Sequence, residues 1–112
     1  MKIAFTSTGT TWDSMIDPRF GRTENILLFD EETKELTVVS NDDIKNEAHG
    51  AGTATAQKIF DLSPDVLITG NGPGETAEKA LKNMKMQICV GANDMTVFQA
   101  YDLYKGGKLK VL

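Results

Sequence analysis

The second half of this chain alternates between two periodicities, and that alternation restricts its fold more than any other feature. Ala77, Ala80, Leu81 and Met84 recur at helical spacing, as do Val97, Ala100, Tyr101 and Tyr104. Short apolar runs, Val66 to Thr69 and Gln87 to Val90, precede each of them. Such an order predicts α/β structure with parallel strands joined by right-handed crossovers. A further helix is predicted from about Thr53 to Leu62, with Ala56, Ile59, Phe60 and Leu62 on its apolar side and Pro64 forcing an end. Pro73 suits the first turn of the second helix, and Asn93 or Asp94 can cap the third. In the first half, Lys2 to Thr6 reads as an opening strand. Ile26 to Phe29 and Leu36 to Ser40, separated by a polar turn, read as an antiparallel hairpin. Lys108 to Leu112 can add a short terminal strand. The sheet is therefore expected to be mixed, with an antiparallel pair beside parallel strands.

A chain of 112 residues has room for one domain, spanning 1–112. With 40% hydrophobic and 25% charged residues it can bury a core and stay folded. Its formal net charge of −4 gives no electrostatic attraction to a phosphate backbone, so nucleic acid is not an expected partner. No apolar run reaches the ~20 residues that span a bilayer. The opening residues turn polar too early for a signal peptide, so a cytoplasmic location is expected. The single cysteine, Cys89, lies within an apolar strand and is expected to be a buried core thiol. With one histidine, no Ser-His-Asp triad signature is readable, and a His-rich metal centre is impossible within one chain. The central strands carry no carboxylates of the kind two-metal phosphoryl transfer needs. These features favour a binding protein over an enzyme.

Three short motifs could hold a ligand. Asp17-Pro18-Arg19-Phe20-Gly21-Arg22 closes the polar stretch from Ser7 to Thr23, which is long for a connection without its own structure. Arg19 and Arg22 offer rigid donor forks suited to anions, and Gly21 lets the backbone come close. Alternatively, Phe20 merely anchors a turn with solvated arginines. His49-Gly50-Ala51-Gly52 opens a helix, where free N–H groups attract anions and His49 could ligate a metal. It could equally be a glycine-rich cap with an exposed histidine. Gly70-Asn71-Gly72-Pro73-Gly74 lies between a strand and a helix. It fits neither the dinucleotide fingerprint nor a P-loop, and could cradle an anion or simply turn the chain. Two of the three motifs open successive helices, and the edge at the carboxyl ends of parallel strands is where open α/β sheets bind ligands. Trp12, in the long loop, could be a lid, a partner contact or a packing anchor. Asp42 and Asp43 read as solvated.

In their order and spacing, these motifs resemble the dinitrogenase iron–molybdenum cofactor biosynthesis family. The opening strand, Arg19-Phe20-Gly21-Arg22, the hairpin to Asn41, His49 to Gly52, Gly70 to Gly74 and the closing Tyr104-Lys105-Gly106-Gly107-Lys108-Leu109 all take part. The resemblance implies a three-layer, ribonuclease H-like fold with a five-stranded mixed sheet and about three helices. It also implies a carrier for a preassembled iron–sulfur or molybdenum-containing cluster, not covalently bound. Such a cluster has its own internal bonds and needs few protein ligands. Arg19, Phe20, Gly21, Arg22, His49, Gly50, Gly52, Gly72 and Gly74 are then the expected cluster-binding residues, with His49 the metal ligand. Expected partners are cluster donor or acceptor proteins, and the chain itself is expected to be a monomer or weak homodimer. The alternative is a regulatory or scaffold module that binds a partner protein or small anion without metal.

Overall fold

Alternate residues of the central strands bury into two separate cores, and this defines the layers. In the computed structural model, which describes residues 1–47 and 49–112, strand β1 spans Lys2–Ser7. Ile3 and Phe5 enter one core while Ala4 enters the other, the two-residue period of a strand covered on both faces. Strands β2 (Asn25–Asp30) and β3 (Glu35–Ser40) form the expected antiparallel hairpin, and β2 pairs antiparallel with β1. Strands β4 (Val66–Ile68) and β5 (Gln87–Val90) add in parallel on the other side of β1.

The sheet has six strands in the order β3-β2-β1-β4-β5-β6, one more than the five the resemblance implies. The sixth, β6 (Lys110–Val111), pairs antiparallel with β5. It covers an edge that would otherwise present unpaired backbone groups.

Helices α1 (Ala51–Leu62) and α2 (Glu75–Asn83) lie on one face of the sheet, and α3 (Val97–Lys105) lies on the other. Helix α1 buries Ala51, Thr55, Ala56 and Ile59, a narrow stripe at four-residue spacing, and this leaves Phe60 exposed. Helix α2 starts after Gly74, so the buried Pro73 sits just outside the helix. The cap of α3 is Thr96, not Asn93 or Asp94. Its hydroxyl accepts from the Gln99 N–H while the Gln99 side chain accepts from the Thr96 N–H. Asp94 cannot take that role because its φ of 64° is left-handed, and the Asn93 amide is engaged with Asn71.

The long loop after β1 is ordered by pairing. Ile16 and Val97 N–H groups donate to the Met95 and Ser14 carbonyls, and the Phe98 N–H donates to the Trp12 carbonyl. Trp12 packs edge-on against Phe5, Phe29 and Phe98, and tilted against Tyr101, with ring centroids 4.9–6.2 Å apart. Cys89 is buried, as its apolar strand predicts. Among the described residues, no helix is long and apolar enough to cross a membrane.

Candidate functional site

The arginine turn is built around a buried carboxylate. Asp17 follows the long loop, and its N–H donates to the Thr6 carbonyl while the Thr6 hydroxyl donates to the Asp17 carbonyl. Its side chain, with no exposure, accepts from the Arg19 N–H, from Arg19 Nε and Nη2 at 3.1 Å, and from the Glu24 N–H. Burial alone would raise the Asp17 pKa. The Arg19 guanidinium and these backbone donors outweigh it and hold the carboxyl below its usual range. Asp17 in turn raises the pKa of Arg19 and fixes its side chain, with Nη1 outside the paired edge.

Arg22 Nη1 donates to the Lys45 carbonyl at 2.8 Å, and Lys45 Nζ bridges Glu24 and Asp42. The loop after β3 is therefore fastened to the arginine turn. Asp42 and Asp43, read as solvated, are exposed but pair with Lys45 and Lys58.

Asn41 completes the fastening. Fully buried, its Nδ2 donates to the Gly21 and Thr23 carbonyls and to Thr55 Oγ1, and Thr55 donates to Gly21. Asn41 Oδ1 is buried without a partner among the described residues. One side chain thus ties the arginine turn, the end of β3 and the second turn of α1 together. Sequence reasoning missed Asn41 because nothing local marks a buried amide. For Asp17, by contrast, an Asp two residues before an Arg was a readable signal.

The glycine motifs meet at one cleft. A Cβ on Gly21 would lie 2.7 Å from the Gly52 nitrogen and 2.9 Å from the Ala51 carbonyl carbon, so the arginine turn sits directly on the first turn of α1. A Cβ on Gly52 would lie an ordinary 3.8 Å from the Pro73 oxygen and 3.9 Å from Ala77. Between the two helix starts lies a cleft of about 230 Å³, walled by Gly50, Gly52 and Thr53 on one side and Pro73, Gly74 and Thr76 on the other. Gly50 (φ 77°) and Gly74 (φ 86°) turn the chain into α1 and α2, and neither helix has a side-chain cap. First-turn N–H groups of both helices are thus left without side-chain caps at the cleft, an arrangement that attracts anions. Glu75, also on the rim, opposes an anion, but Lys79 lies 3.4 Å from its carboxylate.

Of the expected residues, Gly50, Gly52 and Gly74 line this cleft and Gly21 buttresses it. His49 is exposed, one residue before the rim. Arg19 and Arg22 are held at Asp17 and Lys45 and do not line it. Phe20 is buried in the core of the α1–α2 face, and Gly72 (φ 100°) turns toward Val90 and Leu112. Among the described residues, no three of His, Cys, Asp and Glu are grouped to hold a metal ion.

A second cleft, of about 440 Å³, lies at the carboxyl ends of β1, β4 and β5. Met15, Pro18, Asn71, Asn93 and Asp94 line it, and Asn93 Nδ2 donates to Asn71 Oδ1 at 2.8 Å. The loop after β4 leads to α2 and the loop after β5 leads to α3 on the opposite face. Strand order also reverses between β1 and β4 at this cleft, and open α/β sheets bind ligands at such a reversal. Asn71 and Asn93 each stand shortly after a strand and a glycine, a parallel that went unread in the sequence.

Comparison with known proteins converges on the same family. The model for dinitrogenase iron-molybdenum cofactor matches residues 1–107. No curated protein matches the chain. The apo form of the orange protein from Desulfovibrio gigas is similar over 99% of this chain and 92% of its own, at 31% identity and a TM-score of 0.93. A Thermotoga protein provisionally described as NifB, of the DUF35 family, is similar over the same shares, at 30% identity and a TM-score of 0.83. With the match running from the first residue through the end of α3, this chain belongs to the dinitrogenase iron–molybdenum cofactor family.

Proposed function

We propose that this protein is a carrier that holds a preassembled, anionic metal–sulfur cluster as cargo in the cleft between α1 and α2 and passes it to an acceptor protein. The observation that carries this reading is the pair of helix starts without side-chain caps facing one glycine-walled cleft, with the arginine turn seated on α1. Backbone N–H groups suit sulfide-bridged cargo because they add hydrogen bonds without replacing the cluster's own bonds. The exposed His49, one residue before the rim, adds one ligand in this reading. With so few protein bonds the hold is loose, as transfer requires. No catalytic step is proposed for the chain. Family membership supports the reading.

A regulatory or scaffold module without metal is the second reading. It is favoured by the exposed Phe98 and Met15 beside Trp12.

Anaerobic titration of apo-protein with a thiomolybdate-derived or iron–sulfur cluster, followed by gel filtration, separates the two. Carriage predicts stoichiometric metal retention that falls in Gly52→Ala and in His49→Ala. It predicts no change when Asn71 and Asn93 are replaced by Ala at the other cleft. Loss only in the asparagine variant moves the cargo to the carboxyl-edge cleft. No retention by the unmodified protein leaves the scaffold reading.

A further inference from the structure

The face formed by the long loop and the start of α3 is apolar, acidic at its rim and separate from the glycine cleft. Pairing between residues 12–16 and 95–98 sets Trp12, Met15, Met95 and Phe98 side by side. Phe98 is 53% exposed and Met15 43%, although Phe98 stands edge-on to Trp12 in the aromatic cluster. A groove of about 380 Å³, lined by Asp94, Met95, Gln99, Asp102 and Leu103, runs along α3, and Asp94 joins it to the carboxyl-edge cleft. Asp13, Asp94 and Asp102 are exposed, and none forms an ion pair among the described residues. Neither groove lining includes a Lys or Arg.

We propose that this face docks a cationic, apolar-tipped segment of a partner protein, one that carries Lys or Arg beside Leu- or Phe-type side chains. Exposed apolar patches with a polar rim mark interaction surfaces. Methionines adapt their shape to an incoming side chain. The three carboxylates select a basic partner and repel phosphate-rich ones such as nucleic acid or an anionic lipid surface. The capping box at Thr96 and Gln99 keeps the α3 end of the face rigid, so docking requires no ordering step there. The inference does not depend on cluster carriage, because the face is complete without cargo.

The test titrates apo-protein with a synthetic amphipathic helix of Leu and Lys, and with the same helix carrying Glu for Lys. Trp12, the single tryptophan, reports binding by fluorescence, and backbone amide shifts locate it. The expected result is saturable binding of the Lys peptide alone, with shifts confined to residues 12–16 and 94–103. Replacing Asp13, Asp94 and Asp102 by Asn should weaken it about tenfold, as should Phe98→Ser. A control with Glu32→Gln, Glu35→Gln and Asp61→Asn makes the same change in net charge at distant positions and should leave binding unchanged. Equal binding of the Glu peptide, equal weakening in the control, shifts elsewhere, or no saturation by about 1 mM would each overturn the proposal.

Discussion

The two faces of the sheet are fastened by different means. On the α3 face, rings do the work: Trp12, Phe29 and Tyr101 interlock with centroids 4.9–5.6 Å apart, and the Tyr101 hydroxyl donates to Glu31 at 2.6 Å. On the α1–α2 face, aliphatic packing is joined at the start of α1 by a backbone-to-backbone contact at Gly21, with Asp17 and Asn41 supplying hydrogen bonds to the same turn. Ring packing is area-driven and tolerates no gap. Backbone contact leaves N–H groups at the surface, which is what an anion site needs. The molecule thus places rigidity on one face and exposed donors on the other.

The contrast can be broken by substitution. Trp12→Ala should be the most damaging change, at about 3 kcal/mol by denaturant unfolding, the low end of the core range because Trp12 is only partly buried. Its cluster retention should still be normal at temperatures where the chain remains folded, and a loss there would show the faces to be coupled. Asp17→Asn should destabilise by about 2 kcal/mol, discounted because Arg19 is half exposed. A carboxylate whose folded pKa is depressed contributes fully above its unfolded value of about 3.9 and loses that contribution as pH falls through the folded value. Unmodified protein should therefore lose stability below about pH 4, and the Asn variant should lack that part of the decline. Gly21→Ala forces a methyl against α1 backbone and should cost about 1–3 kcal/mol. Gly52→Ala sharpens the comparison most. It meets only ordinary contacts and should stabilise α1 by up to about 1 kcal/mol while lowering cluster retention. Unchanged retention in this more stable variant would remove the cleft as the cargo site.

Periodicity carried most of the fold. All three helices and five strands lie close to where apolar spacing places them, and the hairpin follows from two apolar runs around a polar turn. What periodicity could not show was set by contacts distant in sequence. The terminal strand was read at Lys108 to Leu112, but its pairing depends on β5 offering an edge; the cap of α3 depends on a turn that consumes Asn93 and Asp94, and the exposure of Phe60 on the narrowness of the α1 stripe. At the site, Gly50 and Gly74 were legible because glycine turns a chain into a helix at positive φ without steric cost. The arginines were legible as anion-seeking types, yet their actual partners, Asp17 and the Lys45 carbonyl, are known only once the chain is folded. Phe20 was read both as part of the binding motif and, alternatively, as the anchor of its turn, and its burial fits the anchor.

Asn41 has a mechanical consequence for the cleft. Because its amide clasps the arginine turn and Thr55 together, the α1 wall, the turn and the end of β3 move as one jaw. Helix α2 is only nine residues long and buries just Ala77 and Leu81, so it forms the opposing, more compliant jaw. Widening of the cleft is therefore expected to displace α2 before α1, an order that faster amide exchange in Glu75–Asn83 than in Ala51–Leu62 would report.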